Sequence, residues 1–149
     1  MAQETHILIV ESPYYREICD ELVKGAIAAL EAAGASYERV EVPGAFEIPA
    51  AMAMAMDNPG RSFDGYVALG CVLRGETSHY DYICGESARK LQDLATDHRL
   101  PLGYGILTCE NGDQARVRAE AAGRDKGGDA ARTCLRMLEV KRRFQDAAR

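Results

Sequence analysis

The sequence predicts an α/β protein, a single three-layer αβα domain built on a four-stranded parallel sheet. Three observations carry that reading. Short apolar runs alternate with longer amphipathic segments along the chain. The runs are close to continuously apolar, as strands covered on both faces are. The connections are short, so helices packed on the two sides of one sheet are the economical arrangement. The predicted order is β-α-β-α-β-α-β-α-α.

His6 to Val10, "HILIV", is the first strand. Residues 12–34 form the first helix, with Ser12 as cap, Pro13 in the first turn and Gly34 at the stop. Ile18, Leu22, Ala26 and Leu30 recur every four residues and make one apolar stripe. Residues 36–42 alternate as a strand, ended by Pro43-Gly44. Residues 46–60 have an ambiguous period, because Met52, Met54 and Met56 alternate. Ala and Met favour helix, and Asn58-Pro59-Gly60 is a stop signal. Met52 and Met56 then share a face and Met54 lies nearly opposite, so both sides are expected to be covered. A methionine-lined ligand surface is the alternative.

Residues 63–73 are the most continuous apolar strand. A helix follows over 79–97 with Ile83, Leu91 and Leu94 facing in, then a strand over 101–108 and helices over 112–122 and 126–147. No repeat, linker or low-complexity tract interrupts this, so residues 1–149 read as one domain.

Composition narrows the function classes. Apolar residues make up 47% of the chain, which fits neither disorder nor a fibre. Eighteen basic against 23 acidic residues leave a formal charge of −5, which argues against nucleic acid as the main partner. No stretch approaches membrane-spanning length, and the start does not read as a signal peptide. Five cysteines (Cys19, Cys71, Cys84, Cys109, Cys134) without a CxxC pair read as reduced thiols in a cytoplasm. His6, His79 and His98 are too scattered for a zinc site.

In an open parallel sheet, ligands gather beyond the carboxyl ends of the strands. There the chain places Glu11 to Tyr15, Pro43 to Glu47, Arg74 to His79, and Thr108 to Asn111. Gly75-Glu76-Thr77-Ser78 before a helix is either an anion cradle of backbone N–H groups and hydroxyls or an ordinary capped helix start. His79 is either a proton-transfer group or a surface residue. Glu47 is either an acceptor for ligand hydroxyls or an acid on a helix dipole. Tyr14 is either a stacking platform or a half-buried aromatic. Arg118 and Lys126 lie in the late helices, where solvated charge is the usual explanation. Neither GxxxxGK[ST] nor GxGxxG occurs, so neither a nucleoside triphosphate nor a dinucleotide is indicated.

Four stretches together resemble the 6,7-dimethyl-8-ribityllumazine synthase family: "VPGAFEIP" (42–49), "GCVLRGETSHYDYI" (70–83), "GILTCENGDQARVR" (105–118) and "DKGGDAA" (125–131). The resemblance runs from the first strand to the last helix and implies a flavodoxin-like fold. It implies a cofactor-independent condensation of 5-amino-6-(D-ribitylamino)uracil with 3,4-dihydroxy-2-butanone 4-phosphate, the penultimate step of riboflavin synthesis. By that resemblance Gly75, Glu76, Thr77 and Arg118 hold the phosphate and His79 transfers protons. Tyr14 stacks on the pyrimidine, Ala45, Phe46 and Glu47 line the ribityl side, and Val72 and Leu73 form a wall. Tyr104, Arg118 and the further candidate Lys126 come from a neighbouring subunit. The assembly implied is a homopentamer, alone, paired as a decamer, or closed into a 60-mer shell. The same pocket would also suit a lumazine- or flavin-holding protein or a pentameric riboflavin synthase relative. Pro13-Tyr14-Tyr15 stands where members commonly show Arg-Phe-Asn, and Glu76 where a small residue is common.

Overall fold

The computed structural model describes residues 4–58, 60 and 62–147, with the side chain of Ala147 not included. Four strands, β1 (His6–Glu11), β2 (Ser36–Glu41), β3 (Gly65–Leu73) and β4 (Leu102–Cys109), form one parallel sheet in the order β2-β1-β3-β4. The expected parallel α/β architecture is therefore present. The chain steps outward from β1 to β2 and then back across to β3, so β1 and β3 flank the point where the winding reverses.

Side-chain alternation along these apolar strands feeds two cores. Ile7, Ile9, Val67, Leu69 and Leu107 face one side, packed with α1 (Arg16–Ala32), α4 (Gly112–Ala119) and α5 (Lys126–Ala147). Leu8, Val10, Tyr66, Ala68 and Ile106 face the other, with α2 (Ile48–Met56) and α3 (His79–His98). The α1 stripe of Ile18, Leu22, Ala26 and Leu30 is buried as its spacing requires, and Leu91 of α3 is fully buried. Truncating such a residue to Ala costs about 2–5 kcal/mol.

The last helix approaches the sheet more closely than side chains allow. A Cβ at Gly103 of β4 would collide with the Ala130 carbonyl of α5, and one at Gly127 of α5 with the Leu22 carbonyl of α1. Asp125, at φ 50°, starts α5 by accepting the Gly128 N–H at 3.1 Å.

Several local expectations need correction. Helix α1 begins at Arg16, not at Ser12 or Pro13, and no side chain caps it. The Ser12 N–H donates to the Leu69 carbonyl at 2.9 Å, so the chain is still bridged to β3 and cannot yet coil. The stretch expected as one helix over 46–60 is a 3₁₀ turn (Ala45–Glu47) followed by α2, which ends at Met56. Pro49 suits this helix start, having no N–H to leave unpaired. Of the expected stop, Pro59 lies outside the described residues. Met54 was expected to be covered, yet it is 73% exposed, while Met52 is buried. Residue 63 does not open β3: the Phe63 ring stacks on His6 at 5.3 Å, and pairing starts at Gly65. Helix α4 ends at Ala119, short of the expected 122.

Beside the reversal point, Glu11 is 1% exposed and carries its carboxylate into the protein. Arg39 of β2 meets it with a two-pronged pair, Nε to Oε2 at 2.8 Å and Nη2 to Oε1 at 2.8 Å. This carboxylate, counted from the sequence among the strand-end groups, is engaged in holding β1 to β2. Among the described residues, no helix is long and apolar enough to cross a membrane.

Candidate functional site

The carboxyl ends of β1 and β3 open into a cavity of about 630 Å³. Tyr14 and Tyr15 reach it from the segment after β1, and Pro43, Gly44, Ala45, Phe46 and Glu47 from the turn after β2. Cys71, Val72 and Leu73 close it from the end of β3. Gly75, Thr77, His79, Tyr80, Tyr82 and Ile83 close it from the start of α3. Of the residues singled out in the sequence, Tyr14, Ala45, Phe46, Glu47, Val72, Leu73, Gly75, Thr77 and His79 thus line one hollow.

Tyr14, Tyr15 and Phe46, with Glu47, make one wall, and Gly75, Thr77 and His79, with Tyr80 and Tyr82, make the other. Tyr14 is 73% exposed and sits edge-on to Tyr15, with ring centroids 5.0 Å apart. Phe46 is also largely exposed, so two rings are free to take a planar ligand. Burial, then the neighbouring Tyr14, pushes the Tyr15 phenol above its ordinary range. The Glu47 carboxylate leans back over the turn, and a Cβ at Gly44 would lie 3.1 Å from its Oε2.

The opposite wall begins where β3 ends. Among the described residues, none accepts a hydrogen bond from the backbone N–H of Gly75, Glu76 or Thr77. A Cβ at Gly75 would meet nothing within 4 Å, so the protomer's own packing does not demand glycine there. Thr77 Oγ1 accepts the His79 N–H at 3.3 Å, a local turn contact just ahead of the uncapped Ser78; its hydroxyl proton remains available to donate. Amides without partners among the described residues, a hydroxyl and the positive end of the 20-residue α3 thus lie within a few residues of one another, the kind of segment that attracts an anion. His79, the first residue of α3, is exposed beside them.

Four singled-out residues are not on this cavity. The Glu76 side chain is exposed and does not line it. Arg118, on α4, is half-buried and donates from Nη1 to the Gln114 carbonyl at 2.9 Å. Tyr104 and Lys126 line a different hollow, a groove of about 1010 Å³. It runs between β4, the end of α3 and the length of α5, past Leu100, Leu102, Met137, Val140 and Phe144. Within the groove, burial raises the Tyr104 phenol above its ordinary 10.0, and the neighbouring Ser87 hydroxyl opposes the rise.

Sequence reasoning missed Cys71, Tyr80 and Tyr82, set Tyr15 only among the strand-end groups, and expected Ile83 merely to face in. Tyr82 and Ile83 stand three and four residues after His79 and share its helix face, a signal available in the spacing. The Cys71 thiol is pushed from 9.0 up to about 12, mainly by burial, so it is a neutral wall group and not a nucleophile. Among the described residues, no cluster of three or more His, Cys, Asp or Glu is placed to hold a metal.

A hollow at the winding reversal of a parallel sheet, with stacking rings on one side and an anion cradle beside an imidazole on the other, defines a small-molecule site of the doubly wound α/β class. Comparison with known proteins narrows the class. The family model described as 6,7-dimethyl-8-ribityllumazine synthase matches residues 4–142. A protein of that name from Agrobacterium fabrum is 53% identical over 142 residues, covering 93% of this chain and 96% of the relative. One from Rhizobium meliloti, 6,7-dimethyl-8-ribityllumazine synthase 1, is 55% identical over 93% of each chain. One from Bartonella tribocorum is 51% identical over 98% of this chain and 96% of its own length. The chain belongs to the 6,7-dimethyl-8-ribityllumazine synthase family, and is an enzyme of that family.

Proposed function

We propose that this chain, as one domain, condenses 5-amino-6-(D-ribitylamino)uracil with 3,4-dihydroxy-2-butanone 4-phosphate to give 6,7-dimethyl-8-ribityllumazine, phosphate and two waters. The observation that carries the reading is the convergence of Tyr14, Phe46, Glu47, Thr77 and His79 on one cavity. A protein that only held a ring would have use for the aromatic side and none for the cradle.

The chemistry assigns each wall a task. Tyr14 stacks on the pyrimidine, and Val72 and Leu73 bound it. Ala45 and Phe46 flank the ribityl chain, whose hydroxyls donate to Glu47. The amides of Gly75, Glu76 and Thr77, with the Thr77 hydroxyl, hold the phosphate; Glu76 serves through its backbone, its side chain lying outside the cavity. The substrate amine attacks the ketone carbonyl. His79 passes protons as the carbinolamine loses water to become an imine, as phosphate leaves, and as the second amine closes the ring with loss of the second water. No cofactor takes part, because every step is addition, elimination or proton transfer.

Arg118 is the cation for the phosphate, its planar fork suited to two oxygens. It lies outside the cavity of its own protomer, which supports a site shared with a neighbouring copy that supplies Arg118, Tyr104 and Lys126. A homopentamer, free, paired or closed into a 60-mer shell, meets that need. The groove beside α5, where Met137 and Phe144 are exposed, supports it as a surface for association. Five free cysteines suit the reducing cytoplasm.

The test is to mix the protein with both substrates and follow lumazine fluorescence and free phosphate. Equal release of the two is expected. Absence of both overturns the reading, as does riboflavin formed from lumazine alone.

A further inference from the structure

The proposed chemistry leaves unused the cation that opens the stretch after β3. Arg74 stands between Leu73 and Gly75, which both line the cavity, and is not itself part of the lining. Its side chain turns the other way and is held on three sides. Nε lies 2.9 Å from Glu110 Oε2, Nη2 lies 3.5 Å from Asp81 Oδ1, and the guanidinium carbon sits 4.3 Å from the Tyr80 ring centroid. The Arg74 backbone N–H donates to the Cys109 carbonyl at 3.0 Å.

These partners belong to different elements. Tyr80 and Asp81 are in the first turn of α3, immediately after His79, and Glu110 follows β4. The Glu110 N–H donates to Gln114 Oε1 at 2.8 Å, and the Gln114 N–H to Asn111 Oδ1 at 2.9 Å, which ties the same point to the start of α4. One guanidinium thus joins the end of β3, the start of α3 and the entry to the helix that carries Arg118. A lone exposed ion pair contributes little. A planar fork hydrogen-bonded to one carboxylate, ion-paired to a second and stacked on a ring fixes a direction as well as a distance.

The charges matter as much as the geometry. Asp81 stands two residues beyond His79 and Glu110 pairs with Arg74 directly beside Gly75, while the Glu76 side chain is exposed outside the cavity. We infer that Arg74 is a positioning residue for the phosphate: it holds the Gly75–Thr77 segment against the start of α3 and offsets Asp81 and Glu110, so that an anion meets free amides and not two bare carboxylates. This rests on the functional reading above.

The test is steady-state kinetics on the assembled protein with each substrate varied in turn, for wild type, Arg74→Ala and Arg74→Lys, at low and high salt. Arg74→Ala is expected to raise KM for the phosphorylated ketone about fivefold, with KM for the pyrimidine unchanged. The deficit should shrink in high salt, where like-charge repulsion is screened. Arg74→Lys should recover part, since it keeps the charge and loses the fork. A wild-type ketone KM in Arg74→Ala overturns the inference, as does an equal, salt-independent rise in both KM values. If Arg74→Ala does not fold, Arg74→Lys and Arg74→Gln carry the comparison, and equal ketone KM values in those two overturn the charge role. Wild type yielding no lumazine would instead defeat the functional reading. Binding of inorganic phosphate to wild type and Arg74→Gln by calorimetry then decides the cradle role alone: weaker binding to the variant supports it, equal binding overturns it.

Discussion

The cavity at the strand ends and the groove along α5 are made by one sheet and its helices, yet they offer different materials. The groove is the larger, about 1010 Å³ against about 630 Å³, and its walls mix apolar side chains such as Leu102, Met137 and Phe144 with Arg99, Asp129 and Lys141. The cavity holds an imidazole, a carboxylate, a hydroxyl, amides without partners and several exposed rings. The cause is position. Along the flank of a sheet the backbone groups are spent on the ladder and on helix hydrogen bonds, so only side-chain stripes remain to be shown. Beyond the strand ends the chain leaves the ladder, and its free N–H groups and polar turn residues face outward. In the proposed reading the groove, a surface of side chains alone, meets a protein neighbour, and the cavity, where backbone groups join the side chains, takes the small substrate.

The most drastic way to break this contrast is to charge the groove. Met137→Asp with Phe144→Asp would place two unpaired carboxylates in the proposed contact surface, and removing an unpaired charge from water costs several kcal/mol. Light scattering should find monomers, and lumazine formation should fall to background because Arg118 no longer reaches a cavity. Unchanged assembly would show that the groove is not the surface of association.

Next in size is the cavity's own chemistry. His79→Ala should slow turnover by roughly 10²–10⁴-fold at unchanged assembly. A loss confined to KM would make His79 a binding group. Smaller again, Arg118→Ala should raise KM for the phosphorylated ketone by about 10–100-fold, the worth of a charge-assisted hydrogen bond. Mixing Arg118→Ala with His79→Ala sharpens the comparison. Mixed assemblies should regain activity only if the two residues serve one site from separate protomers.

The smallest effect reaches both regions through buried thiols. Cys71 lines the cavity, and Cys134 lies beneath the groove with Sγ 3.6 Å from the Pro101 carbonyl. Burial pushes each from 9.0 up to about 12. Between those values the unfolded chain releases protons that the folded chain keeps. Stability is therefore full below pH 9 and declines as pH rises toward 12. The urea midpoint should fall between roughly pH 8 and roughly pH 10.5, and fall less in Cys134→Ala.

The architecture was legible because two-sided burial leaves its mark in the sequence. Val67 to Leu69 must be apolar at every position, and the α1 stripe keeps a period of four whatever surrounds it. What stayed hidden was set by distant partners. Ser12 resembles a helix cap until its amide is seen bonded to Leu69, and Met54 looks coverable until α2 is found to leave that side bare. In the cavity, the residues after β1 and after β3 were both in view, while Tyr15 and Cys71 became lining groups only through the adjacency of those two strands. Tyr104, Arg118 and Lys126 carry no local sign of a site. The roles proposed for them rest on the family pattern, since a surface that would work only in an assembly has no period of its own.

Gly103 and Gly127 give the last word to hydrogen atoms. Where the Ala130 and Leu22 carbonyls press against them, even a methyl group would force the backbone of α5 to move. The tilt of that helix is thereby locked to the sheet and to α1. The shape of the groove that α5 borders is therefore set partly by two side chains the protein does without.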